Sequence, residues 1–498
     1  MLNNLLSIKI KNRIKLIEKA IKNPIEYQDK ILNKHISIAK NTIIGKQYSF
    51  DQIKTYNHFK KNIPLFDYNL LENFINRIKK QEQNILWPGK IQWFAKSSGT
   101  TNTKSKFIPI TNDSLNDNHF KAGKDMLSLY LNNYPENKVL KGKSLMIGGS
   151  KKINKISNYY SGDLSAIIIK NLPIWVQLKR LPSMKTALLD DWEEKITHMI
   201  QEIKNKNITS ISGVPSWTLI IIRQIMKEMN KNCLTEIWPN LELYIHGGVS
   251  FEHYKSSFNH YINKKHINYL EIYNASEGFF AIQDEPKKSD LLLLVDYGIF
   301  YEFIAMDNGE LKHDNIIPLE GVKLNQIYSM VISTNGGLWR YQIGDTIQFT
   351  SLQPYKIKIC GRTKSFINVF GEELNEHNTN TAIQYACEKT NSIVNEYIAG
   401  PIFFNDKTGG HEWFIDFKIK PINLKKFILF LDNKLKKLNS DYEAKRNKDI
   451  LLKKPIVNVL EKDFFYRYLK SQNRIGGQNK IQRLHNDRKF LSEIIQKL

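Results

Sequence analysis

Between residues 186 and 273, short apolar runs alternate with stretches of helical period. This rhythm constrains the fold more than any other feature of the chain. A helical pattern over 186–204 leads to a strand at 208–211. A helix follows at 215–230, with Pro215 in the first turn, where its missing N–H costs nothing. A strand at 241–245 ends at Gly247-Gly248, and a helix over 251–262 precedes a strand at 267–273. Alternating strands and helices predict α/β layers on parallel sheets, with ligands in crevices at the carboxyl ends of strands. Polar or glycine-rich segments fall at three such ends, 96–106, 246–250 and 273–278.

The flanking regions extend this pattern. Residues 4–20 predict an amphipathic packing helix, and 67–80 and 112–132 predict two more helices. Strands are expected at 91–95 and 145–147. From 291 to 360 the chain turns strand-rich. After Gly361-Arg362 a smaller α/β unit begins, with helices at 375–389 and 422–438 and strands at 393–399, 411–418 and 456–460. A terminal helix is expected from about 486. The expected division is a large N-terminal domain over 1–361, a hinge over 362–371 and a small C-terminal domain over 372–498.

Composition excludes several classes. Of 498 residues, 41% are hydrophobic and 24% charged, as in an ordinary globular protein. The three cysteines, Cys233, Cys360 and Cys387, are too few and too scattered for a disulfide framework, which points to a reducing compartment. No apolar run is long enough for a secretory signal or a membrane span, so the expected location is cytoplasmic. The net charge of +24 raises the possibility of a basic nucleic-acid-binding protein. However, the 73 basic residues comprise 62 Lys and only 11 Arg, and the chain is also rich in Asn and Ile. These residues share AT-rich codons, and Arg, the best bidentate phosphate and base ligand, is scarce. Nucleic acid is therefore not the expected partner.

Four segments carry chemistry. Ser97, Ser98, Gly99, Thr100 and Thr101 follow a strand and precede Lys104 and Lys106. Hydroxyls, ammonium groups and unobstructed backbone N–H groups are what a phosphate needs, and Gly99 lacks the Cβ that would block close approach. An ordinary polar turn has the same composition. In Tyr273-Asn-Ala-Ser276-Glu277-Gly278 the Glu277 carboxylate suits Mg²⁺ shared with substrate phosphates, or is a plain surface charge. In Trp339-Arg-Tyr-Gln-Ile-Gly-Asp345 the carboxylate beside a glycine could take both hydroxyls of a ribose, or simply stabilise a turn. The last segment, Ile475-Gly-Gly-Gln-Asn-Lys480-Ile-Gln-Arg483, is a glycine-rich loop bearing Lys480.

The order of these segments is more specific than any one of them. Ser-Ser-Gly-Thr-Thr, Tyr-x-x-Ser-Glu-Gly, Tyr-x-x-Gly-Asp and Gly-Arg-Thr-Lys in succession resemble the adenylate-forming enzyme superfamily. The spellings Tyr273-Asn-Ala-Ser-Glu-Gly-Phe-Phe280, Arg340-Tyr-Gln-Ile-Gly-Asp-Thr346 and Gly361-Arg-Thr-Lys-Ser-Phe-Ile-Asn-Val-Phe-Gly-Glu-Glu373 narrow this. The chain resembles the auxin-responsive acyl-acid amido synthetase family of plants, in its bacterial branch, over about residues 94–483.

The resemblance implies an α/β fold with a large multi-sheet N-terminal domain of adenylate-forming type and a smaller, mobile α/β C-terminal domain. It implies an ATP-dependent ligase that activates a small carboxylic acid as its acyl-adenylate, with Mg²⁺, and transfers the acyl group to an amine or amino acid. Ser97, Ser98, Gly99, Thr100 and Thr101 would form the phosphate loop. Gly247 and Gly248 would border the adenine, and Tyr273 would flank its ring. Asp345 would hold the ribose, supported by Arg362. Ser276 would lie near the α-phosphate, Glu277 would ligate Mg²⁺, and Lys480 would reach the reacting groups. The same fold also accommodates an acyl-CoA ligase. Thr103, Gln342 and Gln482 stand where relatives often have Gly, Arg and Pro.

Overall fold

The computed structural model describes residues 8, 12–97, 106–148, 153–156, 158–189, 191–248, 251, 254–262, 267–307, 310–362, 366–404, 408–449, 451–471 and 482–496. These fall into two compact units. The first draws on 1–97, 106–248 and 258–363, and the second on 249–257 and 364–498.

The first unit is organised by a mixed sheet of 12 described strands. The α/β rhythm accounts for one side of it. There Asn268–Ala275, Leu243–His246, Ile208–Ser212, Lys143–Met146 and Arg180–Leu181 run parallel, in that order. Pro215–Glu228 and Trp192–Ile203 are among the helices between them, with Pro215 in the first turn as expected. Beyond Asn268–Ala275, toward the region that reads as strand-rich, the pairing changes direction. From Gly278–Ile282 outward, every pairing is antiparallel, through Leu291–Leu293, Tyr355–Arg362, Tyr341–Leu352, Ile327–Thr334, Ile299–Asp307 and Glu310–Pro318. These strands are joined by hairpins or short connections, which need no crossover helix.

Two boundaries also differ from expectation. The single helix expected over 186–204 is two helices, Met184–Ala187 and Trp192–Ile203. Each has its own N-cap: the Ser183 hydroxyl accepts the Thr186 N–H at 3.3 Å, and an Asp191 oxygen accepts the Glu194 N–H at 2.7 Å. The strand expected at 91–95 is Trp93–Ser97. It belongs to a separate four-stranded sheet, antiparallel to Lys106–Ile110 and parallel to Tyr159–Gly162. The strands on either side of residues 98–105 are thus paired with each other, Ser97 opposite Lys106.

One core covers the antiparallel strands and the helices before residue 80, with Phe50, Phe59, Leu71, Tyr301, Met330, Trp339 and Tyr341 all buried. The second unit packs helices Glu376–Thr390 and Leu424–Leu438 on a three-stranded sheet of Ile393–Phe404, Thr408–Ile419 and Ile456–Leu460. Tyr397, Trp413, Phe427 and Leu431 fill its core. Among the described residues, no helix is long and apolar enough to cross a membrane.

Candidate active site

Three of the expected site segments converge in the first unit. Leu243–His246 runs parallel to Asn268–Ala275, with His246 opposite Glu271, and the chain continues into Gly247 beside Ile272. A Cβ on Gly247 would lie 2.5 Å from the Ile272 carbonyl oxygen, so only glycine fits this approach. Gly248 has φ +82°, the left-handed region that glycine enters without penalty. The next residue past Ile272 is Tyr273, which is 5% exposed.

Tyr273 sits beside a β-bulge. Phe279 pairs with Asn274 and Ala281 with Tyr273, so Phe280 is the extra residue. The Tyr273 and Phe280 rings lie 4.9 Å apart at 51°. The segment 273–278 is thus a strand end, a two-residue turn and the start of the next antiparallel strand, with Ser276 and Glu277 forming the turn. Both turn residues are half-buried. Glu277 presents a carboxylate of the kind Mg²⁺ accepts alongside phosphate oxygens. Among the described residues no group of three or more His, Cys, Asp or Glu side chains could hold a metal without such help.

Asp345 also lies at a bulge. Ser329 pairs with Thr346 and Val331 with Gln342, so Met330 alone faces Ile343, Gly344 and Asp345. Gly344 takes φ +89° there, which explains why a glycine precedes this aspartate. On the other edge, Asp345 is in register with Arg362. The result is a direct contact: the Tyr273 hydroxyl donates to Asp345 Oδ2 at 2.6 Å, with both residues under a tenth exposed. Their strands are separated by three others, a span of roughly 19 Å in a flat sheet at about 4.8 Å per strand. The sheet must therefore coil strongly to bring them together.

The hairpin that carries the hydroxyl-rich loop is rooted nearby. Ser97 pairs with Lys106, whose Nζ donates to the Tyr341 hydroxyl at 3.4 Å. Ser98, Gly99, Thr100, Thr101 and Lys480 lie outside the described residues, as do the side chains of Ser97 and Arg362.

The roles of two residues that hold this arrangement escaped the sequence reading. Asn118, in the π-helical segment Ser114–Phe120, donates to the Phe279 and Tyr297 carbonyls at 3.1 and 3.0 Å and accepts the Phe279 N–H at 2.7 Å. It pins the bulged strand beside Tyr273. Arg340 enters with φ +39° and sends its guanidinium onto Glu302. An isolated buried Asn and a lone acid 38 residues upstream leave no periodic trace. His246 is buried beside Gly247, and burial lowers its pKa to about 3, so its imidazole is neutral at ordinary pH. Trp217 and Trp238 are core residues, at 6% and 0% exposure, and Trp175 is half-buried.

Known proteins are similar to this chain in sequence and in fold. The indole-3-acetic acid-amido synthetase GH3.4 of Arabidopsis thaliana is 23% identical over 445 residues, covering 75% of this chain and 73% of its own. The solved acyl acid amido synthetase AtGH3.15, in complex with 2,4-DB, superposes with a TM-score of 0.65 at 17% identity, covering 99% of this chain and 96% of its own. A 2-hydroxyisobutyryl-CoA ligase, solved with 2-HIB-AMP and CoA, has a TM-score of 0.57 at 11% identity, covering 96% and 93%. The fold is thus the one shared by acyl acid amido synthetases and acyl-CoA ligases. Models of the GH3 family N-terminal, central and C-terminal domains match residues 13–267, 292–362 and 377–489 in succession, and the chain belongs to the GH3 family.

Proposed function

We propose that the chain is an ATP-dependent acyl acid amido synthetase, joining a small carboxylic acid to an amine, with an amino acid as the acceptor. The observation that carries this reading is the Tyr273–Asp345 contact beside the Gly247–Ile272 approach. It brings an aromatic ring, the Gly247-Gly248 turn and a carboxylate together, the kinds of group an adenosine uses.

In this reading Gly247 and Gly248 border the adenine and Tyr273 flanks it. Asp345 takes the ribose hydroxyls, with Arg362 beside it. Ser97, Ser98, Gly99, Thr100 and Thr101 hold the phosphates, Ser276 lies near the α-phosphate, and Glu277 ligates Mg²⁺. The ion, when bound, offsets phosphate charge. A carboxylate oxygen of the acid bonds to the α-phosphorus while the bond to pyrophosphate breaks. Both reactants are anions, so Lys480 and the loop donors lower the barrier by offsetting charge where it builds up. In the second step the amine nitrogen bonds to the acyl carbon, the bond to AMP breaks and the amine loses a proton. Residues 362–371 serve as the hinge on which 372–498 turns between the steps.

The test is acid-dependent ATP–pyrophosphate exchange over a panel of carboxylic acids, followed by mass identification of the product with amino acids or coenzyme A supplied. Amide products are expected. Exchange with no acid in the panel, or a thioester product alone, overturns the reading. Glu277→Ala and Asp345→Ala should each lower exchange at least tenfold.

A further inference from the structure

The hydrogen bond between Tyr273 and Asp345 joins the residue read as flanking the base to the residue read as holding the sugar. We propose that Tyr273 is a positioning residue for Asp345: its hydroxyl fixes the plane of the Asp345 carboxylate, and through it the protein selects ribonucleotide over deoxyribonucleotide. The inference rests on the nucleotide site proposed above and adds a source of selectivity to it.

The geometry supports the link at three levels. The terminal torsion of an aspartate is broad, so a carboxylate that must meet two vicinal hydroxyls needs an outside contact to set its plane. The Tyr273 hydroxyl supplies one at 2.6 Å, at the short end for an O–H···O bond. It takes one of the roughly four acceptor positions on the carboxylate. The donor is itself held. Tyr273 is 5% exposed, its ring packs against Phe280 at 4.9 Å, and Phe280 is the bulge residue of the strand that Asn118 fixes. The acceptor is held by the second bulge, where Gly344 at φ +89° sets Asp345 opposite Arg362. Two bulges on strands far apart in the sheet thus meet at one bond. Tyr273→Phe removes that bond and leaves the aromatic ring.

Calorimetric binding of ATP, 2′-deoxy-ATP and 3′-deoxy-ATP to the full chain tests this directly, with the thermal midpoint measured alongside to verify folding. Tyr273→Phe is expected to weaken ATP binding roughly tenfold while weakening the deoxynucleotides far less, so that the preference for ribose falls. In an Asp345→Asn background, Tyr273→Phe should add nothing. Unchanged ATP affinity in Tyr273→Phe, equal losses for all three nucleotides, or multiplying effects of the two substitutions would overturn the proposal. Ribose-selective binding without acid-dependent exchange would sink the proposed activity and leave this inference standing. Failure of ATP to bind at all would sink both.

Discussion

Arg340 and Glu302 form a bidentate ion pair in the interior of the first unit. Arg340 Nε donates to Glu302 Oε2 and Nη2 to Oε1, each at 2.9 Å, and the two residues are 2% and 1% exposed. The remaining guanidinium nitrogen donates to the Lys60 and Ile63 carbonyls at 3.0 and 2.6 Å, closing the end of the Tyr56–Asn62 helix. The Tyr56 hydroxyl also donates to Glu302 at 3.0 Å, and burial pushes its pKa upward. The backbone completes the anchor: Phe66 N–H donates to the Arg340 carbonyl, and Gln342 N–H to that of Phe66. The strand that carries Asp345 is thus fixed five residues upstream of it.

Removing one member of this pair strands the other in the interior. Glu302→Ala should cost about 3–5 kcal/mol of stability in urea titration. Arg340→Lys should also be clearly destabilising, because one ammonium cannot reproduce the planar fork on the carboxylate and two carbonyls. A loss under about 1 kcal/mol for Glu302→Ala would show that the pair does not anchor the strand.

Gly247→Ala is expected to disturb the nucleotide edge. The added methyl would sit 2.5 Å from the Ile272 carbonyl oxygen and push the strand carrying Tyr273. Overpacking of this kind costs about 1–3 kcal/mol. The expected readout is ATP affinity at least tenfold weaker by calorimetry. Among the described residues nothing lies nearer than 3.7 Å to a methyl on Gly248, so the cost expected for Gly248→Ala is that of its positive φ. Equal ATP binding by Gly247→Ala and the unmodified protein would contradict the assignment of this edge.

Asn118→Ala should weaken both stability and the site. The substitution deletes three hydrogen bonds and leaves the Phe279 N–H and two carbonyls without that partner. A buried group left unsatisfied costs about 1–3 kcal/mol. Asn118→Asp keeps an acceptor for Phe279 but cannot donate to the carbonyls, so it should not rescue. A thermal midpoint unchanged in Asn118→Ala would refute this role.

Acid should destabilise the fold through three histidines. Burial lowers the pKa of His35 to about 3, His119 to about 4 and His246 to about 3, against 6.5 ordinarily. The unfolded chain therefore binds protons that the folded chain refuses between about pH 6.5 and pH 4. The stability that depends on this is complete above about pH 6.5 and falls as pH drops, at about 1.4 kcal/mol per pH unit for each residue. His35→Gln should reduce the slope of unfolding free energy between pH 6 and 4.5 by about that amount. An unaltered slope would show that His35 titrates normally in the folded protein.

How far the sequence reveals this molecule differs between its halves. The parallel half was legible because Pro215, Gly247 and the apolar runs mark each change from strand to helix. The helix at 422–438 and the strand at 456–460 were legible for the same reason, and appear as Leu424–Leu438 and Ile456–Leu460. The antiparallel half was readable only as strand-rich, since hairpin connections leave no periodic trace of which strands become neighbours. The break before the helix capped by Asp191 went unread because apolar periodicity continues across it. For the proposed site, glycine and acid spellings singled out Tyr273, Glu277 and Asp345. Nothing local showed that the phenol and the carboxylate meet, because that contact depends on the coiling of the whole sheet.

That coiling has a temporal consequence. The partners in the Tyr273–Asp345 bond are 72 positions apart, and the strands between them must be laid down first. During synthesis, a nascent chain that has emerged only as far as the parallel strands carries the tyrosine without its carboxylate. The bond that we propose to set the ribose contact can therefore form only after the chain has emerged through Arg362, the end of the last strand lying between the two residues in the sheet.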